Sequence, residues 1–156
     1  EDMGPGASAS SAGAERIKRE LAATPDSFPG WIAARDFWRS IRPNVTNAAI
    51  ASRVHYSLKN SDDGKVVWRH HQTAIAAART RIAPLDLWPH AERLVCPVLL
   101  IRGMESDFLS EQTAVQMQAR CANLQHVALA GAGHYVHDDA PEEFVAAVSK
   151  FLETAP

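Results

Sequence analysis

Two short segments of this chain carry side chains suited to acid–base chemistry. The segment 102–109, RGMESDFL, contains Asp107, and the segment 130–138, AGAGHYVHD, contains His134. A carboxylate that holds a histidine fixes the tautomer of the ring and stabilises the imidazolium that forms when the ring accepts a proton. Asp107 and His134 therefore form half of a system that activates a nucleophile, provided that the fold brings them together.

The hydrophobic pattern around these segments predicts a strand, a helix and a second strand. Residues 98–101 are a continuous aliphatic run, which is typical of a strand covered on both faces. Ser110 is a suitable N-cap for a helix that ends near residue 120, and the second strand is expected over 124–129. The two strands of such a unit are parallel, so the loops that follow them leave the sheet at the same edge. This geometry would let Asp107 meet His134.

A last helix is predicted over 141–152, after the histidine loop. Asp139 and Glu142 resemble a capping pair at its start, and Gly131 and Gly133 give the loop before it a permissive backbone. The apolar residues at helical spacing form the expected buried stripe: Phe144, Val148, Phe151 and Leu152.

The region before residue 89 has a more irregular, mostly helical pattern. For residues 70–81 the pattern does not decide between a helix and a loop. The elements expected before it are short helices around 17–21, from 29 towards 41 and over 46–58, a turn at 60–64 and a β-like run at 65–69.

The composition excludes several classes of protein. The 156 residues are 46% hydrophobic and 22% charged, with a formal net charge of −2, which indicates one soluble globular domain rather than a disordered chain, a collagen or a disulfide scaffold. The longest apolar run, 94–101, has eight residues, too few to cross a bilayer. The 16 Lys and Arg against 18 Asp and Glu form no charged block, so neither nucleic acid nor a membrane is an expected partner.

Neither the cysteines nor the first residues indicate secretion. Cys96 and Cys121 lack the spacing of a redox or metal site and are expected as buried free thiols. The first residues, EDMGPGASASSAGA, have no apolar core of a signal peptide. The localisation stays unknown, with the cytoplasm slightly favoured. The acidic start without a methionine is interpreted as the start of a truncated sequence.

The stretches LVCPVLLIRGMESDFLS and GAGHYVHDDAPEEFVAAVSKFL resemble the C-terminal part of an α/β-hydrolase. In that family a late strand is followed by the acid of the catalytic triad and the final strand by its histidine. The resemblance therefore implies an α/β fold with Asp107 as the acid and His134 as the base.

The segments LAATPDSFPGWIAARDFW, SDDGKVVWRHH and LDLWPHAERL resemble the helical cap that related enzymes insert over the active site. The resemblance implies three parts: a linker leaving the core sheet over 1–13, a mostly helical cap segment over 14–88, and the C-terminal part of the α/β-hydrolase core over 89–156.

The nucleophile of the family sits on a G-x-S-x-G turn, and this sequence has no such motif. Ser106 lies beside the acid on the wrong loop, and Ser110 is better explained as a helix cap. We therefore expect the nucleophile and the oxyanion hole to come from an N-terminal half that is missing or separate, so that this chain alone is inactive. The strand at 98–101 is too apolar for an exposed edge, and it is expected to pair with that half or with another copy of the chain.

Aromatic residues are the candidates for binding substrate. Phe108 and Tyr135, adjacent to the acid and the base, are expected to shape the mouth of the pocket. Three tryptophans of the cap segment could line an acyl pocket or belong to the core of the cap: Trp31, Trp38 and Trp68. The histidines lack metal-ligand spacing, so no metal and no cofactor are expected.

The leading hypothesis is hydrolysis of a small ester-like substrate by a Ser-His-Asp triad. The resemblance also admits an aspartate nucleophile, as in dehalogenases and epoxide hydrolases, because the fold alone cannot choose the chemistry. A third hypothesis from another class is a non-catalytic binding or interaction module on a hydrolase scaffold.

Overall fold

The computed structural model describes residues 1–6, 11–43, 45–81 and 85–154. It divides the chain into two compact units: 1–15 with 83–156, here the terminal unit, and 16–82, here the middle unit. The sequence predicts these boundaries between residues 13 and 14 and between residues 88 and 89. Part of the predicted linker, 7–10, lies outside the described residues, and a helix already begins at Ala12.

The helices and strands follow one another in this order: α1 Ala12–Ala23, β1 Ser27–Phe28, α2 Trp31–Ile41, α3 Asn47–Ser57, β2 Leu58–Asn60, β3 Val66–Trp68, α4 Gln72–Arg81, α5 Trp88–Ala91, β4 Val98–Gly103, α6 Glu111–Arg120, β5 Leu124–Leu129, α7 Val136–Asp139 and α8 Pro141–Thr154. Within the described residues, no helix is long and apolar enough to span a membrane.

The predicted strand–helix–strand unit is confirmed in the terminal unit. Strands β4 and β5 are parallel and stay in register from Val98 opposite Leu124 to Gly103 opposite Leu129. Helix α6 connects them, and the Ser110 hydroxyl accepts a hydrogen bond from the backbone N–H of Thr113. This bond satisfies one of the free donors at the start of the helix, as the sequence predicts.

Helix α8 covers the sheet less completely than its sequence predicts. Phe144 and Val148 pack against a buried cluster that includes Ile101 and Val136, whereas Leu152 is 67% exposed. Of the two predicted buried thiols, Cys121 is buried, but Cys96 is exposed because it precedes the strand that begins at Val98.

The middle unit has its own core around a small antiparallel sheet of order β1-β3-β2. Chain length alone suggests one core, but each unit has a separate buried cluster. Residues 72–81 are helical, which decides the segment that the pattern left open. Strands β1 and β2 have two and three residues and were not predicted, since runs so short show no alternation of apolar and polar residues.

Candidate active site

The loop that carries His134 lies directly against the end of strand β4. A Cβ atom placed on Gly103 would lie 2.1 Å from the carbonyl oxygen of Gly133 and 2.3 Å from that of Ala132. These distances are far inside van der Waals contact, so only glycine fits at position 103. Gly131 begins the loop with a φ of +71°, a conformation that glycine adopts without strain. The two glycines hold His134 at the carboxyl end of the sheet.

The Nδ1 atom of His134 is hydrogen-bonded to a carboxylate at 2.9 Å, and that carboxylate belongs to Asp2. Asp2 is fully buried. Its Oδ1 accepts the backbone N–H of Gly103 at 3.2 Å, and its Oδ2 also accepts the hydroxyl of Ser106 at 2.5 Å. The N–H of Asp2 donates to the carbonyl of Ile101 in β4 at 2.7 Å. Residue 2 thus lies beside the end of β4, at the same sheet edge as the histidine loop.

Two aromatic rings border His134. The ring of Phe108 is stacked on the imidazole with centroids 4.2 Å apart and an interplanar angle of 26°. The ring of Tyr135 is tilted against it at 4.9 Å. The side chain of His134 is 15% exposed, and within the described residues its Nε2 atom makes no hydrogen bond. A histidine that donates from Nδ1 keeps the lone pair on Nε2, which is the arrangement of a general base.

The structure differs from the sequence prediction in the carboxylate at Nδ1. Asp107, the expected acid, is exposed. Its backbone carbonyl accepts the N–H of Gly13 at 2.8 Å, and a Cβ atom on Gly13 would lie 2.6 Å from the Asp107 Oδ1. The Asp107 carboxyl group therefore lies at the first turn of α1, while Asp2 occupies the hydrogen bond to His134.

The turn after β4 explains why Asp107 and the imidazole are separated. The Ser106 hydroxyl accepts the backbone N–H groups of Phe108 and Leu109 at 3.0 and 3.2 Å. This turn brings the Phe108 ring inward, where it is only 2% exposed. Phe108 therefore occupies the position beside the imidazole, and Asp107, the residue before it, lies on the outer side of the turn.

Neither serine of this region is placed as a nucleophile. The Ser106 hydroxyl donates to Asp2 and accepts from two backbone amides, so its hydrogen-bonding capacity is used within the turn. The Ser110 hydroxyl caps α6. Asp139, predicted as part of a helix cap, instead accepts the backbone N–H of Gly133 at 2.9 Å and braces the histidine loop.

Two of the three tryptophans form part of the core of the middle unit. Trp68 is 8% exposed, and its ring meets that of Trp38 edge to face at 5.9 Å. Trp31 is 39% exposed, and its indole N–H donates to the side chain of Asn60 at 2.9 Å. A role for these rings in an acyl pocket stays a prediction. In the described part of the chain, no group of three His, Cys, Asp or Glu side chains is arranged to hold a metal ion.

Sequence reasoning missed Asp2 because it lies 132 residues from His134, in a stretch interpreted as a linker. The available signal was the segment EDMGP, which resembles the chain leaving a core strand. A residue at such a strand end reaches the same sheet edge as the loops after β4 and β5.

The comparisons with known proteins place this chain in a family. A sequence profile of the alpha/beta hydrolase family matches residues 2–147. The chain is 27% identical over 128 residues to the esterase Rv0045c of Mycobacterium tuberculosis, covering 81% of this chain and 41% of that protein. It is 30% identical over 112 residues to 2-(acetamidomethylene)succinate hydrolase of Mesorhizobium japonicum, covering 71% and 39%.

The fold is similar to those of solved hydrolases. A crystal structure of E-2-(acetamidomethylene)succinate hydrolase superimposes with a TM-score of 0.79 at 24% identity, over 90% of this chain and 52% of that chain. A structure of the M. tuberculosis esterase superimposes with a TM-score of 0.78, over 98% and 52%. The chain therefore spans about half the length of these relatives and has the fold of their family. It belongs to the alpha/beta hydrolase family.

Proposed function

We propose that this chain supplies the histidine and the orienting carboxylate of a hydrolase that cleaves a small carboxylic ester. The observation that carries the proposal is the hydrogen bond between His134 Nδ1 and a buried carboxylate at the carboxyl end of β4 and β5, while none of the described residues is bonded to Nε2. Such a pair is built to accept a proton at Nε2 and return it.

In this reaction a serine from the part of the fold beyond this chain attacks the ester carbonyl. His134 accepts the serine proton and then delivers it to the departing alcohol, leaving an acyl-enzyme. Water attacks that intermediate in the second half of the reaction, and His134 again accepts and returns the proton. The resemblance assigns the orienting carboxylate to Asp107, whereas the carboxylate in contact with the ring is that of Asp2.

One observation favours an ester as the substrate, and a second favours a small organic substrate in general. Relatives named as esterases match this chain, among them esterase YbfF of Escherichia coli at 28% identity over 102 residues. The rings of Phe108 and Tyr135 also give the imidazole apolar neighbours. Apolar walls with a few polar groups are typical of sites for small organic substrates.

We further propose that β4 pairs along its outer edge with a strand from the rest of the hydrolase fold. The N–H of Val98 faces β5, so strand alternation directs the N–H groups of Leu99 and Ile101 to the other side. On that side the described residues supply one backbone hydrogen bond, from Asp2 to the Ile101 carbonyl. A strand paired with this edge would lead directly into residue 1. A second copy of the chain is the alternative partner for the edge.

The proposed activity is tested on the protein in which this chain accompanies the remaining half of the fold. We expect it to hydrolyse p-nitrophenyl butyrate and to be labelled by a fluorophosphonate probe on a serine outside these 156 residues. The isolated chain should show neither property. Turnover of a haloalkane or an epoxide, without labelling, would favour the aspartate nucleophile. Absence of labelling and of all turnover from the complete protein would contradict the proposal in favour of a binding module.

A further inference from the structure

We infer that Asp2, rather than Asp107, is the residue that positions His134 for catalysis, an inference that rests on the proposed function. Nδ1 of the imidazole carries one proton when the ring acts as a base, and that proton is directed at Asp2 Oδ2, 2.9 Å away. Any other carboxylate could take this role only if Asp2 left the nitrogen.

The surroundings of Asp2 hold its carboxyl group in one place. A carboxylate can only accept hydrogen bonds, and burying one is costly unless donors surround it. Three donors converge on Asp2: the backbone N–H of Gly103, the hydroxyl of Ser106 and the Nδ1–H of His134. Gly103 ends β4 and Ser106 lies in the turn after it, so these two donors fix the carboxylate to the end of the sheet independently of the histidine.

The backbone of Asp2 is strained in a way that serves this arrangement. Its φ of +40° is the one positive φ at a non-glycine residue among the described residues. This conformation is costly for a side chain with a Cβ atom, and such strain is concentrated at functional sites. The N–H of Asp2 is bonded to the Ile101 carbonyl at 2.7 Å, which holds the strained residue at the end of β4.

Asp107 differs from Asp2 in its exposure and in its place in the fold. Its side chain is exposed and lies beside Gly13 at the start of α1. The neighbouring Phe108 is stacked on the imidazole at 4.2 Å. The two aspartates therefore offer a matched pair of variants, because the same change from Asp to Asn can be made at a buried contact and at an exposed one.

The contact is tested by nitrogen NMR of the ¹⁵N-histidine-labelled chain, which reports the tautomer of each imidazole. We expect the Nδ1–H form of His134 in the wild-type chain, a shift towards the Nε2–H form in Asp2→Asn, and the wild-type spectrum in Asp107→Asn. Loss of the Nδ1–H form in Asp107→Asn would overturn the inference. If Asp2→Asn does not fold, the comparison of the wild type with Asp107→Asn decides the question.

The catalytic consequence is measured on the complete protein. Asp2→Asn should lower kcat by about 10³–10⁴-fold with little change in KM, as expected when an orienting carboxylate is lost. Asp107→Asn should leave kcat near that of the wild type, and Asp2→Glu should restore part of the activity. The reverse order of the two Asn variants would contradict the inference. A wild-type protein without turnover would contradict the proposed function, while the NMR result would still test the contact.

Discussion

Gly103 and Gly133 meet backbone to backbone where strand β4 ends and the histidine loop passes over it. The carbonyl oxygen of Gly133 lies 2.1 Å from where a Cβ atom of residue 103 would be. His134 is the next residue after Gly133. Its position therefore depends on the absence of a side chain at residue 103, the last residue of β4.

Gly103→Ala should displace the histidine loop. Because the added methyl group meets backbone atoms that cannot rotate away, we expect a loss of about 1–3 kcal/mol in the free energy of unfolding. Urea denaturation measures it. Gly30→Ala is the control, since a Cβ atom there meets nothing within 4 Å. Equal stabilities of the two variants would contradict the close approach.

Ser106→Ala should weaken the site without removing the nucleophile. The change leaves the amides of Phe108 and Leu109 without this acceptor and removes one of the two donors to Asp2 Oδ2, which keeps its bond to His134, so we expect a loss of about 1–3 kcal/mol in stability. Fluorophosphonate labelling of the complete protein should persist in this variant. A fluorophosphonate adduct found on Ser106 itself in the wild-type protein would identify it as the nucleophile and refute its structural role.

His126 should make the stability of the chain depend on pH. Burial of its ring lowers its pKa below 6.5 and repulsion from Arg102 adds to this, while Glu111 opposes the shift. Since the unfolded chain binds a proton that the folded chain resists, the free energy of unfolding should fall as the pH falls below about 6.5. Well above that pH neither state is protonated at this residue, so the contribution to stability is fully present there.

The variant His126→Gln checks this pH dependence by urea denaturation between about pH 7.5 and about pH 5.5. We expect it to lose less stability over this range than the wild type. The exposed His55 supplies the control His55→Gln, which should keep the wild-type dependence. A wild-type slope in His126→Gln would show that this ring does not contribute.

Much of the terminal unit could be predicted from the sequence because its signals are local. The aliphatic run before Gly103 and the cap at Ser110 each lie within a few residues of the element that they specify. The contact between Asp2 and His134 depends on the end of a strand far away in the chain, and no local pattern reports it. The turn that directs Asp107 outward likewise includes a long-range hydrogen bond, from the Ser106 hydroxyl to Asp2.

Hydrogen exchange should distinguish the two sides of strand β4. In the isolated chain we expect the amide of Leu99, on the outer side, to exchange faster than that of Leu100, which alternation places towards β5. In the complete protein both should be protected, because the outer edge is then paired. A Leu99 amide that exchanges equally fast in the isolated chain and in the complete protein would contradict pairing at this edge.

The turnover of p-nitrophenyl butyrate by the complete protein carrying His134→Ala tests the central claim most directly. The chain offers His137→Ala as its control, since His137 is also bonded to a carboxylate, that of Glu1, but is 45% exposed. We predict that His134→Ala lowers kcat by at least about 10⁴-fold and that His137→Ala leaves it near that of the wild type. A His134→Ala variant with wild-type kcat would contradict the assignment of His134 as the general base.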